Sequence, residues 1–269
     1  MNSTPTSSKL AIVKKEIFDA LAKVNFALYI ASSDTKTRYR RSVLGPLWLV
    51  LGTLIGVGGL GIVWSTLFEV DRGTFIPSLA IGLVTWYLLT ACIVDSASAF
   101  YGNRDIFLNM QTSSILVSLL VLIKNLINFA HNFIVVIIVL MIYPKTVGFV
   151  SLLAIPGLIL VSFNLLGVIQ LLGFVGARYR DLAPLLAAVI QPLFFITPVL
   201  FRPQQLGANA FIAELNPFTY WLSLIRDPIM GNAPTGTTWL IVILMTVLTW
   251  AAALLMTANK RHRLAYWVH

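Results

Sequence analysis

The stretch TVGFVSLLAIPGLILVSFNLLGVIQLLGFVGA, residues 146–177, contains no charged side chain. A helix rises about 1.5 Å per residue, so about 20 apolar residues cross the roughly 30 Å hydrocarbon core of a bilayer. Lipid offers the backbone no hydrogen-bond partner, so a segment of this kind must satisfy its own amides and carbonyls as a helix. The stretch is therefore predicted to be a membrane-spanning helix.

Five other charge-free runs of at least 19 residues occur before and after this stretch. They are Ser42–Phe68, Phe75–Val94, Asn125–Tyr143, Leu182–Phe201 and Ala233–Asn259. Hydrophobic residues make up 58% of the chain, charged residues only 11%, and the mean hydropathy is +0.87. This composition argues against a soluble globular protein. We predict an all-α membrane protein with six transmembrane helices.

Lysine and arginine residues are distributed unequally between the two sides of these six spans. One side holds Lys9, Lys14, Lys15, Lys23, Lys36, Arg38, Arg40, Arg41, Arg104, Arg178, Arg180, Lys260, Arg261 and Arg263. The other side holds only Arg72, Lys145, Arg202 and Arg226, and Lys124 lies inside the third span. Loops rich in Lys and Arg stay in the cytoplasm, so both termini are predicted to be cytoplasmic. The net charge of +9 then matches an anionic inner leaflet and requires no nucleic-acid partner.

The sequence contains no recognisable catalytic or metal-binding motif. Its three histidines lack metal-ligand spacing and its single cysteine, Cys92, lies within the second span. No glycine-rich phosphate loop with its lysine is present, so ATP does not bind through that motif. No secretory leader is predicted, because the first long apolar run begins only after residue 41. We predict that the chain is not an enzyme and holds neither a metal nor a cofactor.

Before the first span, apolar residues recur at intervals of three and four. They are Leu10, Val13, Ile17, Leu21, Val24 and Leu28. Lys15, Glu16, Asp19 and Lys23 occupy the opposite face of the same helix. Such a helix is too polar to cross the membrane and is typical of an amphipathic helix in the cytoplasmic interface. Packing underneath the bundle would give the same pattern, and the two interpretations are compatible.

Two loops contain apolar residues that are unusual for a free loop. The cytoplasmic loop 101–114 carries Ile106, Phe107 and Leu108, which predicts a small helix with an exposed apolar knob. The external stretch 202–232 contains three prolines, yet it also places Phe218 and Trp221 at helical spacing. This stretch is too short to cross the membrane, and it is predicted to form re-entrant helices between spans five and six.

The third span carries an unusual set of polar residues on one helical face. They are Lys124, Asn125, Asn128, His131 and Asn132, and Asp95 lies near the inner end of the second span. Ionisable groups within a membrane are costly and usually face the bundle interior. They could line a hydrophilic path or a proton relay, or they could form a structural polar seam in which Lys124 pairs with Asp95. The seam is favoured, because a relay requires more acidic groups than this single one.

Small and aromatic residues of the spans are interpreted as packing and placement features. Gly56, Gly58, Gly59 and Gly61 in the first span are predicted to permit close helix packing. The many Trp and Tyr residues near span ends are typical of an interfacial belt. Aromatic faces can also stack against sugar rings, because the C–H face of a sugar is apolar.

Four motifs together resemble a known family. RYRRSVLGPLW, residues 38–48, leads into the first span, and RYRDL, residues 178–182, separates spans four and five. PLFFITPV, residues 192–199, is followed by LNPFTY, residues 215–220. In this order and spacing they resemble the membrane subunit of type-2 ABC exporters of bacterial polysaccharides, nearest to the O-antigen export permeases.

The resemblance implies a homodimer in the bacterial inner membrane, assembled with two ATPase subunits that bind ATP and Mg²⁺. It divides the chain into a cytoplasmic tail and interface helix, 1–41, and a type-2 ABC transmembrane domain, 42–269. It also implies an ATPase-contacting surface on the N-terminal helix and the loop after span two. Those residues are Lys15, Asp19, Lys23, Arg104, Asp105, Ile106, Phe107 and Leu108.

The resemblance further implies a polysaccharide substrate linked to a polyprenyl diphosphate. Its diphosphate is expected to enter at Arg38, Arg40 and Arg41, although anchoring of the positive-inside kind explains these residues equally well. An outer gate is expected at Pro198, Asn216, Pro217, Phe218 and Trp221. Two alternatives stay open: a capsule, teichoic-acid or lipid/drug exporter of the same fold, and a proton-driven carrier. The carrier is disfavoured because the sequence shows no internal repeat.

Overall fold

The computed structural model describes residues 6–38, 40, 42–110, 112–144 and 148–268 of the 269-residue chain. Every regular element of this part is a helix, as predicted. The α-helices are α1 Thr6–Ala22, α2 Val24–Arg38, α3 Leu47–Leu67, α4 Arg72–Gly102, α5 Arg104–Asn109, α6 Ser114–Ile142, α7 Ala154–Arg178, α8 Leu182–Ile196, α9 Phe211–Glu214, α10 Pro217–Ile229 and α11 Gly236–Val268. Two 3₁₀ helices, Phe149–Leu153 and Pro203–Asn209, precede α7 and α9.

Five of these helices are long and apolar enough to cross a membrane, which identifies a multi-pass membrane protein. They are α3, α4, α6, α7 with its preceding 3₁₀ turn, and α11. The predicted fifth span, Leu182–Phe201, differs because α8 has only 15 residues. That length corresponds to about 22 Å, which is less than the apolar core of a bilayer. The helix ends at Ile196 because Thr197 is extended before Pro198, and a residue before proline disfavours the helical region.

Helix α4 is the most deeply buried of the five and lies at the centre of the bundle. Helices α6 and α7 both pack against it, and α7 packs in turn against α11. The core between these helices includes Leu83, Phe100, Leu165 and Phe174, all almost fully buried. The bundle is therefore organised around one central helix whose neighbours are determined by apolar contact.

Glycines on α7 allow neighbouring helices to approach its backbone closely, whereas most glycines of α3 have no close neighbour. A Cβ atom at Gly176 would overlap the carbonyl of Ala97 on α4, and one at Gly157 would overlap the carbonyl of Leu224 on α10. At Gly56, Gly58 and Gly59 a Cβ would have no atom within 4 Å, whereas at Gly61 it would lie 3.1 Å from Ile76. The close packing predicted for span one is thus absent at Gly56, Gly58 and Gly59 within the described part of the chain.

The helices bring distant basic residues to one end of the bundle, called here the inner end. Arg261 on α11 contacts α1 and the start of α6, and Arg180 after α7 contacts Tyr101 at the end of α4. At the opposite end, called the outer end, Arg72 bonds to Thr66 across the turn between α3 and α4. This grouping agrees with the two sides predicted from charge. Which end faces the cytoplasm stays a prediction.

Candidate functional site

The start of α6 binds two carboxylates from α1 at the inner end. The backbone amide of Ser113 donates to Asp19 Oδ2 at 3.0 Å. The amide and the hydroxyl of Ser114 both donate to Glu16 Oε2 at 2.6 Å. The first amides of a helix lack partners within the helix and carry a positive partial charge, so carboxylates stabilise them. The polar face of α1 therefore packs inward, onto the N-terminus of α6.

Arg261 connects the C-terminal helix to the same point. Its Nε donates to Glu16 Oε1 at 2.6 Å, and its Nη2 donates to the carbonyl of Thr112 at 3.0 Å. The guanidinium lies 4.5 Å from the centroid of the Phe107 ring, within the range of a cation–π contact. Glu16 is only 7% exposed, so this ion pair is shielded from water. The ion pair between Glu16 and Arg261 thus joins α1 to α11, and both of its members also bond to the start of α6 or to Thr112, which precedes it.

Gln170 extends this contact into the interior of the bundle. Its Nε2 donates to Ser114 Oγ at 2.8 Å and to Thr257 Oγ1 at 3.0 Å. Its Oε1 accepts from Ser118 Oγ at 2.7 Å. All four of these side chains are fully buried. We call Glu16, Ser114, Ser118, Gln170, Thr257 and Arg261 the inner hub.

The inner hub was not predicted from the sequence. A glutamine within an otherwise apolar run, as at Gln170, is the available signal, because buried amides in membrane helices require partners. Its partners come from positions far apart in the chain: Glu16 and Arg261 are separated by 245 residues. No spacing rule connects such positions.

The predicted ATPase-contact residues differ in exposure and in their partners. Lys15, Arg104 and Asp105 are exposed, and Arg104 Nε lies 3.6 Å from Asp105 Oδ1. Asp19 and Lys23 form an ion pair of 2.8 Å with each other, and Asp19 also binds the start of α6. The first three are therefore accessible to a partner, whereas Asp19 is already engaged within the chain.

The predicted apolar knob on the loop after α4 is wrong for Phe107. This residue is 3% exposed, and its ring lies 6.4 Å from that of Phe100, beneath Arg261. Helix α5 folds back so that Phe107 fills the inner end of the core. Ile106 is partly buried, and the side chain of Leu108 lies outside the described residues.

The apolar stripe of the N-terminal segment faces away from the bundle. Leu10 and Leu21 are 60% and 68% exposed, while Glu16 and Ala20 on the other face are buried. The segment comprises two helices, α1 and α2, which both contact α6. An outward apolar face suits a helix at a membrane surface, so interfacial placement stays a prediction and packing on the bundle is observed.

The polar face of α6 forms a seam between helices, but with a different ion pair from the one predicted. Lys124 pairs with Asp34 on α2 and not with Asp95. Asp95 Oδ2 instead accepts from Asn125 Nδ2 at 3.0 Å. The reason is that α2 runs along α6 and brings its own carboxylate to Lys124.

Farther along α6, the remaining polar residues have separate roles. The carbonyl of Asn132 accepts from Thr53 Oγ1 on α3 at 2.9 Å. His131 Nδ1 lies 2.7 Å from the carbonyl of Ile127 on its own helix. Asn128 lines a cleft of about 150 Å³ together with Tyr87. These contacts support the structural seam among α3, α4 and α6.

The three arginines proposed for substrate entry lie between α2 and α3. Arg38 is the last residue of α2 and is exposed, as is Arg40. Arg41 lies outside the described residues. The two that are described are available to an anionic group.

At the outer end, α10 holds the segment that follows α8. Asn216 is the N-cap of α10, and its Oδ1 accepts from the amide of Phe218 at 3.0 Å. Its Nδ2 donates to Thr197 Oγ1 at 2.9 Å. Arg226, only 8% exposed, donates from Nη1 to the carbonyl of Pro198 at 2.5 Å. We call Thr197, Pro198, Asn216 and Arg226 the outer joint.

Aromatic rings pack around the outer joint. The Phe218 ring lies 5.3 Å from Trp86 on α4 and 5.3 Å from Trp221, and Trp86 lies 5.6 Å from Phe194 on α8. Of the predicted gate residues, Pro198, Asn216, Phe218 and Trp221 are buried, and Pro217 is exposed at the first turn of α10. These residues therefore come together as an internal joint between α8 and α10.

Comparison with known proteins gives consistent similarities over most of the chain. A family model described as ABC-2 type transporter matches residues 27–230. The O-antigen export system permease protein RfbA of Myxococcus xanthus is 24% identical over 250 residues, which cover 86% of this chain and 91% of that relative. Two proteins of the same name from Klebsiella pneumoniae are 23% and 22% identical over 208 residues, covering 76% of this chain and 79% of each relative.

Proposed function

This chain belongs to the ABC-2 type transporter family, and we propose that it is the membrane subunit of an ATP-driven exporter of O-antigen polysaccharide in the bacterial inner membrane. The observation that supports this proposal most directly is the similarity to an O-antigen export permease over 91% of that relative's length. The ordered motifs from residue 38 to residue 220 support it independently. The substrate is a polysaccharide carried on a polyprenyl diphosphate.

ATP and Mg²⁺ bind to a separate ATPase subunit, present in two copies with two copies of this chain. The missing phosphate loop supports this division of labour, because the chain then requires an external source of energy. The exposed residues Lys15, Arg104 and Asp105 at the inner end form part of the ATPase contact. Six spans with cytoplasmic termini follow if α8 and the residues up to Phe201 together cross the membrane.

Helix α7 supplies a physical route between ATPase and outer end. Near its inner end Gln170 bonds to the residues that hold α1, and near its outer end Gly157 packs directly against α10. A shift of α1 on ATP binding would therefore be transmitted through one rigid helix to the outer joint. Opening of that joint between α8 and the re-entrant α10 is the proposed gate.

The substrate's diphosphate meets Arg38, Arg40 and Arg41 at the inner membrane surface. Guanidinium groups match phosphate oxygens in geometry and carry a permanent positive charge. Arg38 and Arg40 support this role because both are exposed directly before α3.

Deletion of the gene tests the proposal. We expect surface polysaccharide to be lost and lipid-linked polysaccharide to accumulate inside the cell, as measured by immunoblotting of outer-membrane and inner-membrane fractions. Complementation with the intact gene is the control. Loss of capsule with unchanged O-antigen would assign the chain to a capsule exporter, and no change in any surface glycan would contradict polysaccharide export.

A further inference from the structure

A cavity of about 460 Å³ lies at the outer end and is lined by none of the residues given a functional role above. One wall is the start of α4 with the preceding turn, and the other is the segment that follows α8. Its volume is within the range of small-molecule sites.

The polar lining combines hydrogen-bond donors and acceptors with balanced charge. Asp71, Thr74 and Ser78 line one wall, and Arg202 and Gln205 line the other. Thr74 Oγ1 donates to the carbonyl of Asp71 at 3.0 Å, which leaves the hydroxyl oxygen able to accept from a ligand. Gln205 Oε1 accepts from the amide of Arg202 at 2.6 Å, which leaves its NH₂ group able to donate. A ligand rich in hydroxyl groups can satisfy both kinds of partner at once.

Aromatic rings complement these polar groups. Phe75 and Phe201 also line the cavity. A second cavity of about 520 Å³ adjoins it, shares Phe201 and Gln205, and is lined by Phe68 and Phe195. The apolar C–H faces of pyranose rings pack against such surfaces while their hydroxyl groups bond at the edges. The two cavities therefore offer the two kinds of contact that a saccharide chain needs.

The wall contributed by the segment after α8 is held in this conformation by packing and by hydrogen bonds. Val199 and Leu200 are buried, and Val199 lies against Gly82 of α4. The two residues before them are held by Asn216 and Arg226 of the outer joint. A wall that is fixed before binding does not have to be ordered by the ligand, which favours affinity.

We infer that this outer cavity binds saccharide units of the polysaccharide as the chain leaves the membrane. The inference rests on the proposed function and adds to it a binding site at the exit. The site couples to opening of the gate, because its wall and the outer joint share the segment 197–205.

A labelling experiment tests this inference with the transporter assembled with its ATPase in lipid nanodiscs. Ser78→Cys is introduced into a Cys92→Ser background, which removes the only native cysteine. The rate of reaction with an impermeant maleimide is measured with and without the producing strain's own polysaccharide, freed of its lipid. Dextran serves as the control glycan and Asn209→Cys, exposed outside both cavities, as the control position.

We expect the strain's polysaccharide, and not dextran, to slow labelling at position 78 and to leave position 209 unaffected. Thr74→Val should raise the half-protecting concentration about fivefold, the effect of one hydrogen bond. Equal labelling rates with and without polysaccharide, or equal protection at both positions, would refute the site. If Ser78→Cys fails to assemble, Thr74→Cys provides the same measurement. Absent protection together with loss of surface polysaccharide on gene deletion would reject this site while leaving the proposed export function intact.

Discussion

At the scale of single residues, Glu16 illustrates how one carboxylate connects three helices. It accepts hydrogen bonds from Ser114 on α6 and forms an ion pair with Arg261 on α11. Glu16→Gln keeps the shape but removes the charge that pairs with Arg261 and stabilises the start of α6. We expect the free energy of unfolding to fall by about 2 kcal/mol, a value typical of a hydrogen bond to a charged group. Thermal unfolding in detergent measures it.

Lys15→Gln is the matched control, because it changes one charge on the exposed side of the same helix. We expect its unfolding temperature to equal that of the parent. Equal unfolding temperatures for Glu16→Gln and the parent would show that the inner hub does not stabilise the fold.

Substitutions that remove positive charge test the role of the arginines before α3, with the amount of transporter in the membrane held constant. Each basic residue near an anionic membrane surface contributes about 1 kcal/mol, so one substitution should reduce export modestly and three severely. We expect Arg38→Gln, Arg40→Gln and Arg41→Gln together to lower surface polysaccharide strongly, as measured by immunoblotting. Lys9→Gln, Lys14→Gln and Lys36→Gln together remove the same number of basic residues from the same side and control for positive-inside anchoring. If the triple arginine variant is correctly inserted and exports normally, these arginines only anchor the chain and do not bind the substrate.

At the scale of elements, the glycines of α7 determine how closely its neighbours approach. Gly157→Ala would bring a methyl group into the carbonyl of Leu224 and push α10 away. Such overpacking costs about 1–3 kcal/mol. We expect a lower unfolding temperature and reduced export. Gly59→Ala on α3 is the control, because its methyl group enters open space; an equal effect of both substitutions would contradict the close approach of α7 to α10.

The short helix α5 has an inward and an outward side, and the two should respond differently to substitution. Phe107→Ala should destabilise the protein by about 3–5 kcal/mol, because a buried ring is replaced by a cavity. Arg104→Glu with Asp105→Lys changes exposed residues, so it should weaken co-purification of the ATPase without lowering the unfolding temperature. If the charge-reversed variant binds the ATPase as well as the parent does, α5 is not part of the ATPase contact.

At the scale of the whole molecule, topology is tested by thiol accessibility. In the Cys92→Ser background, Asn209→Cys should react with an impermeant reagent added from the periplasm. Lys15→Cys, at the inner end, should react only after the cells are opened. Both positions are exposed, so the difference reports the side of the membrane. Reaction of Asn209→Cys only from the cytoplasm would reverse the proposed orientation.

Features that depend on local composition were predictable from the sequence. Helical structure and the positions of five spans follow from apolar run length, because a backbone in lipid has to bond to itself. The amphipathic segment before α3 follows from its periodicity, and the short helices after α8 follow from apolar residues at helical spacing. The ordered motifs pointed to the family that the chain belongs to.

Only the tertiary structure decided which polar groups meet. Lys124 was predicted to pair with Asp95, but α2 runs along α6 and brings Asp34 to it instead. Phe107 was predicted to belong to an exposed apolar knob, but the fold of α5 places it in the core. Glu16, Gln170 and Arg261 form one network because three distant helices converge at the inner end. Apolar burial is nondirectional and is encoded along the chain, whereas hydrogen bonds and ion pairs require exact distances that arise only after the helices have packed.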